Sequence, residues 1–173
     1  MLIASRLLAL VALATAGLPG APPFLPLLVV APAVALWDWH TREIPDHLIW
    51  PTLAAILILQ FRAGGLPSLG VALLAGAGGF TLLFLLGGFA NAAEDDTVAG
   101  LADGVYAAIL MAAFATPATW HQPVLALAIA SSIGVLIDPL RARLERRPGA
   151  PFCAYLSVGV FVVFAALRAG ATL

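Results

Sequence analysis

The chain has 173 residues, of which 62% are hydrophobic and 10% charged, with a formal net charge of −1 and a mean hydropathy of +1.05. A soluble domain is about half apolar and about a quarter charged, so this composition excludes one and fits an all-α, polytopic membrane helix bundle. No basic tract points to nucleic acid; all eight basic residues are arginine and lysine is absent. The single cysteine, Cys153, excludes an internal disulfide and a cysteine-cluster zinc site, and among its apolar neighbours it reads as a small packing residue.

A membrane-spanning helix needs roughly 17 to 25 mostly apolar residues. Seven segments meet or approach this: 2–18, 22–38, 47–62, 67–90, 99–117, 121–138 and 151–169. Proline and glycine separate them, at Leu18-Pro19-Gly20, Gly64-Gly65-Leu66-Pro67, Gln122-Pro123 and Pro148-Gly149. The first, with Arg6 ahead of an apolar run and Ala14-Thr15-Ala16 behind it, also has the outline of a signal peptide. Its basic start is thin for that, so residues 1–21 are read as a retained N-terminal helix and 22–173 as a six-helix core domain. Within segment four, Ala75-Gly76-Ala77-Gly78-Gly79 has the small-residue spacing that allows close helix packing.

Arginine orients the bundle. Arg141, Arg143, Arg146 and Arg147 cluster between the last two segments, and short loops rich in arginine remain in the cytoplasm. Counting back through alternate crossings puts Arg42 and Arg6 on the same side, leaving Arg62 and Arg168 outside. Trp37, Trp39 and Trp50 then belong to the cytoplasmic interface and Trp120 to the opposite one, as aromatic anchors.

Two polar islands interrupt the apolar run on the cytoplasmic side. One is Asp38-Trp39-His40-Thr41-Arg42-Glu43-Ile44-Pro45-Asp46; the other is Gly100-Leu101-Ala102-Asp103. An ionisable residue at a membrane segment is costly and is a functional-site hypothesis by default. Two carboxylates brought close together share a proton. The ionised member can then activate water while the protonated one polarises a carbonyl, which is peptide-bond hydrolysis without a cofactor or metal. Gly100 lies one turn before Asp103 on the same helix face, where its missing side chain leaves room for a substrate backbone. On spacing alone, helix-end capping explains both aspartates equally well.

Asp38 with Arg42-Glu43-Ile44-Pro45-Asp46, Gly100-Leu101-Ala102-Asp103, and the closing Ala150-Pro151-Phe152-Cys153-Ala154-Tyr155 together resemble the type IV prepilin peptidases and archaeal preflagellin peptidases, a family of membrane aspartyl proteases. The resemblance runs over about residues 22–169. It implies that Asp38 and Asp103 are the catalytic pair. It also implies that the substrate is the short leader of a pilin-like or flagellin-like precursor, cut at the cytoplasmic face of the plasma membrane. Asp46 stands where that family usually has Asn, and Gly104-Val105-Tyr106 follow the second aspartate in place of a set ending in Lys. The cysteine-rich domain of the bifunctional members has no counterpart, so the likeness is to the small, peptidase-only type and methyl transfer is not expected.

Glu94-Asp95-Asp96, just before the second island, reads either as a solvated turn or as a dock for a basic leader. His40 and His47 flank the first island but have no metal-ligand spacing. The rival reading of the whole chain is a small transporter, or a non-catalytic membrane assembly protein, in which the acids relay protons or bind a cation. The arginine bias yields a direct test of topology. In a Cys153→Ser background, Leu144→Cys is expected to resist an impermeant thiol reagent added from outside, whereas Leu66→Cys reacts. External labelling at 144 would invert the orientation.

Overall fold

The computed structural model describes residues 2–41, 43–93, 101–115, 121–145 and 151–169. Among these described residues six helices follow one another: α1 Leu2–Thr15, α2 Leu25–Thr41, α3 Asp46–Ala93, α4 Leu101–Ala113, α5 His121–Glu145 and α6 Phe152–Arg168. No strand occurs among the described residues.

The longest helix is two rods. Backbone geometry inside α3 leaves the helical region at Gly64 and Gly65, with φ of 64° at Gly65, a conformation that glycine adopts without a Cβ clash. Its limbs, 46–63 and 66–93, correspond to the expected segments 47–62 and 67–90. Gln60, fully buried, holds the break together. Its Oε1 accepts a hydrogen bond from Ser68 Oγ at 2.8 Å, across the break, and its Nε2 donates to the Ala112 carbonyl at 2.8 Å. That carbonyl is in the last turn of α4, where it also accepts the Ala115 N–H at 3.5 Å. One amide side chain thus ties both limbs of α3 to the end of α4.

Small residues set the spacing elsewhere. A Cβ on Gly76 would lie 3.2 Å from the Ala108 carbonyl, and one on Gly79 would meet Met111 and the Ala107 carbonyl, so these two glycines form the seam between α3 and α4. Gly78, on the other side of the same run, faces open space. Gly159 of α6 presses on the Ala126 backbone of α5 in the same way. α1 packs on α3, where Ser5 Oγ meets His47 Nε2 at 2.6 Å and the Arg62 guanidinium donates to the Ala16 carbonyl.

At one end of the bundle Phe24, ahead of α2, stacks on Phe114 at 5.4 Å and tilts against Phe164 of α6 at 5.7 Å. The end of α2 and the starts of α4 and α6 meet at the opposite end. Many large apolar side chains point outward, including Leu36, Leu74 and Leu136. By length and composition the stretch Asp46–Leu85 is the only described helix that qualifies to cross a membrane; the other apolar helices run 10–17 residues. Among the described residues the arrangement is all-helical and its seven rods correspond to the expected segments, with α4 ending at Ala113, short of the expected 117, and α5 extending beyond 138.

The Gly159 contact is with backbone, which cannot step aside. Gly159→Ala is expected to destabilise the protein by about 1–3 kcal/mol through overpacking, and Gly78→Ala to leave it unchanged or gain up to about 1 kcal/mol from helix propensity. Thermal unfolding in detergent checks both. A neutral Gly159→Ala would mean that α5 and α6 are not in backbone contact there.

Candidate active site

The carboxylate of Asp38 sits in the last turn of α2 and is 4% exposed. A negative charge there opposes the partial charge of its own helix end, so its stabilising partners must come from elsewhere. α6 provides one. That helix opens at Pro151, whose carbonyl accepts the first helical bond from Tyr155 N–H at 3.2 Å. Proline has no side chain with which to cap the free amides of the turn that follows. The amide of Ala154 instead donates to Asp38 Oδ2 at 3.0 Å. Asp38 is thus an N-cap delivered by another helix, at an end whose partial positive charge favours an anion.

Asp103 lies in the first turn of α4 and is half-buried. Its Oδ1 accepts a hydrogen bond from the Cys153 thiol at 2.9 Å. Cys153 and Ala154 are consecutive, so the two aspartates, far apart in sequence, bind neighbouring groups of one helical turn. Cys153 interacts electrostatically with both carboxylates, and Tyr106 with Asp38. The next residue after Asp103 is Gly104, where a Cβ would sit 3.2 Å from the Phe80 ring. The absent side chain lets the start of α4 lie flat on α3.

Two apolar grooves of about 390 Å³ each are lined by different sets of helices. One lies between α2, α5 and α6, lined by Leu36, Trp39, Ile137, Ala154 and Val158 among others. It shares Ala154 with the carboxylate cap. The other runs along α3 and α4 past Trp50, Phe80 and Val105.

The remaining expected residues divide sharply. Gly100, Arg42 and the acidic run Glu94, Asp95 and Asp96 lie outside the described residues. His47 is turned to Ser5 of α1 and, edge-on, to Trp37 at 6.2 Å between ring centroids. Among the described residues no group of three His, Cys, Asp or Glu side chains is arranged to hold a metal. Cys153 is buried, as its apolar neighbours predict, but it is also a hydrogen-bond donor to Asp103, which the packing reading omits. Ala154, Tyr106 and Ser157 were not legible as site residues at all. The one available signal was the spacing of Cys153 and Ser157, four apart on a helix opening beside the motif-like Pro151-Phe152.

The sequence model of the type IV leader peptidase family matches residues 25–138, about two thirds of the chain. The matched span contains Asp38 and Asp103 and ends before α6. No curated protein and no solved structure matches the chain. The family match, over a helical scaffold that brings both motif aspartates to one turn, places this chain in the type IV leader peptidase family.

Proposed function

We propose that this family member is a membrane aspartyl endopeptidase that removes the leader of prepilin-like or preflagellin-like precursors at the cytoplasmic face, with Asp38 and Asp103 as its catalytic pair. The observation that carries the reading is the convergence of the two carboxylates on Cys153 and Ala154. In this mechanism one carboxylate is ionised and takes a proton from water. The other is protonated and hydrogen-bonds the scissile carbonyl as it becomes tetrahedral. Proton relay through separated acids would not require both to be held by one helical turn.

The seven helical rods form a polytopic bundle in this reading, with residues 22–173 as the peptidase domain and residues 1–21 as an N-terminal helix. Support comes from the outward-facing leucines, a surface that suits lipid rather than water. The packing of α1 through Ser5 and Arg62 supports its retention. The arginine bias supports a cytoplasmic site. The apolar groove that ends at Ala154 suits an apolar stretch of substrate next to the scissile bond. The acidic run at 94–96 is proposed to attract a basic leader and Gly100 to admit its backbone.

The test uses co-expression with precursors encoded in the same genome, read as a leader-sized mobility shift. Asp38→Asn and Asp103→Asn are each expected to lower cleavage by at least on the order of 10²–10⁴-fold, since neither acid can replace the other. Asp38→Asn keeps an acceptor for the Ala154 amide and is expected to fold normally. Asp38→Ala leaves that amide without its cap and is expected to lose about 0.5–2 kcal/mol of stability as well. Near-normal cleavage by either asparagine variant would remove the two aspartates from the chemistry.

A further inference from the structure

Hydrogen bonds continue from the two carboxylates into the packed interior. Tyr106 is one turn beyond Asp103 on α4 and on the same face. Its hydroxyl lies 2.9 Å from Ser157 Oγ, with both side chains almost fully buried. Ser157 Oγ donates to the Cys153 carbonyl at 2.8 Å. A serine hydroxyl has one proton to give, so in the Tyr106–Ser157 pair the tyrosine donates. Asp103 and Tyr106 of α4 are therefore matched to Cys153 and Ser157 of α6, by two contacts one turn apart.

Two contacts at that spacing hold a helix against both sliding and rotation. A slip of one residue moves a helix by about 1.5 Å and turns it by about 100°. Either displacement would carry the Ala154 amide away from Asp38 and the thiol away from Asp103. Through these bonds α6 links the Asp38 carboxylate of α2 to the Asp103 carboxylate of α4. Helix α6 also lies outside the residues matched by the family model.

We propose that Tyr106, Ser157 and Cys153 are positioning residues, which lock α6 against α4 in the register that aims Asp38 and Asp103 at one point. The proposal rests on the reading of those aspartates as the catalytic pair. A Tyr–Ser contact that served the core alone would alter stability and leave turnover of the folded enzyme unchanged. A positioning role instead appears in kcat, because misplacement of reacting groups by about 1 Å costs up to about 100-fold in rate.

The experiment measures kcat, KM and thermal unfolding for purified full-length protein, with a prepilin-like precursor that the wild type cleaves. Tyr106→Phe removes one oxygen and keeps the ring; Cys153→Ala removes the donor; Cys153→Ser keeps a donor; Ser157→Thr keeps the hydroxyl should Ser157→Ala fold poorly. Assayed well below their unfolding temperatures, Tyr106→Phe and Cys153→Ala are expected to lose roughly 10- to 100-fold in kcat with KM within about two-fold. Cys153→Ser and Ser157→Thr are expected to keep most of it. The Tyr106→Phe/Ser157→Ala double variant is expected to be little worse than the poorer single one, as for groups acting together. Wild-type kcat in Tyr106→Phe and Cys153→Ala, alongside an inactive Asp103→Asn, would overturn the positioning role while leaving the catalytic pair intact. Cys153→Ser as slow as Cys153→Ala would remove the thiol contact from it. An active Asp103→Asn would instead sink the underlying site reading, and this inference with it.

Discussion

A carboxylate shut away from solvent at the wrong end of its own helix has to be stabilised from outside that helix, and in this protein the first turn of α6 supplies a hydrogen bond to it. Asp38 depends on the Ala154 amide, and that amide depends on Asp38, because Pro151 leaves the turn with no cap of its own. The mutual dependence fixes where α6 begins. From there the Cys153 thiol reaches Asp103, and the tyrosine–serine pair one turn further in closes the connection to α4. Removing the cap would therefore disturb more than one hydrogen bond, since three helices meet through it.

The rest of the bundle keeps this end in place with contacts of a different kind. Glycine seams let α4 approach α3, and α6 approach α5, at backbone distance. At such separations packing is unforgiving, as protein interiors are close-packed and transmit strain. Gln60 bridges the break in α3 to the far end of α4, and the phenylalanine cluster closes that same far end. The two aspartates and their partners Cys153 and Ala154 lie at the opposite end from these contacts. One apolar groove, between α2, α5 and α6, reaches the polar end at Ala154.

Much of the helical layout was legible because apolar runs and Pro/Gly breaks report directly on where a helix can start and stop. The Gly64-Gly65 break separated two rods in sequence and in space alike. The two aspartates were legible for a related reason: an acid in an apolar run is expensive, so its presence is informative. The contribution of α6 was not. An alanine amide carries no sequence signal, and a buried cysteine in an apolar stretch looks the same whether or not its thiol has a partner. Tyr106 and Ser157 are ordinary core choices until the α4–α6 register is known.

By itself, then, the sequence determined the helical class, the breaks between rods and the identity of two costly acids, because each follows from local composition and covalent geometry. Membership of the peptidase family likewise follows from sequence, through the match over residues 25–138. Only the tertiary structure decided that both acids are held by consecutive residues of a helix more than a hundred positions after the first of them. It also decided that His47 serves α1, and that Gly76 and Gly79 face a neighbour where Gly78 does not. Those outcomes depend on the rotation and depth of each helix against the next, and a one-residue change in either rearranges every pairing without altering the apolar pattern that a sequence displays.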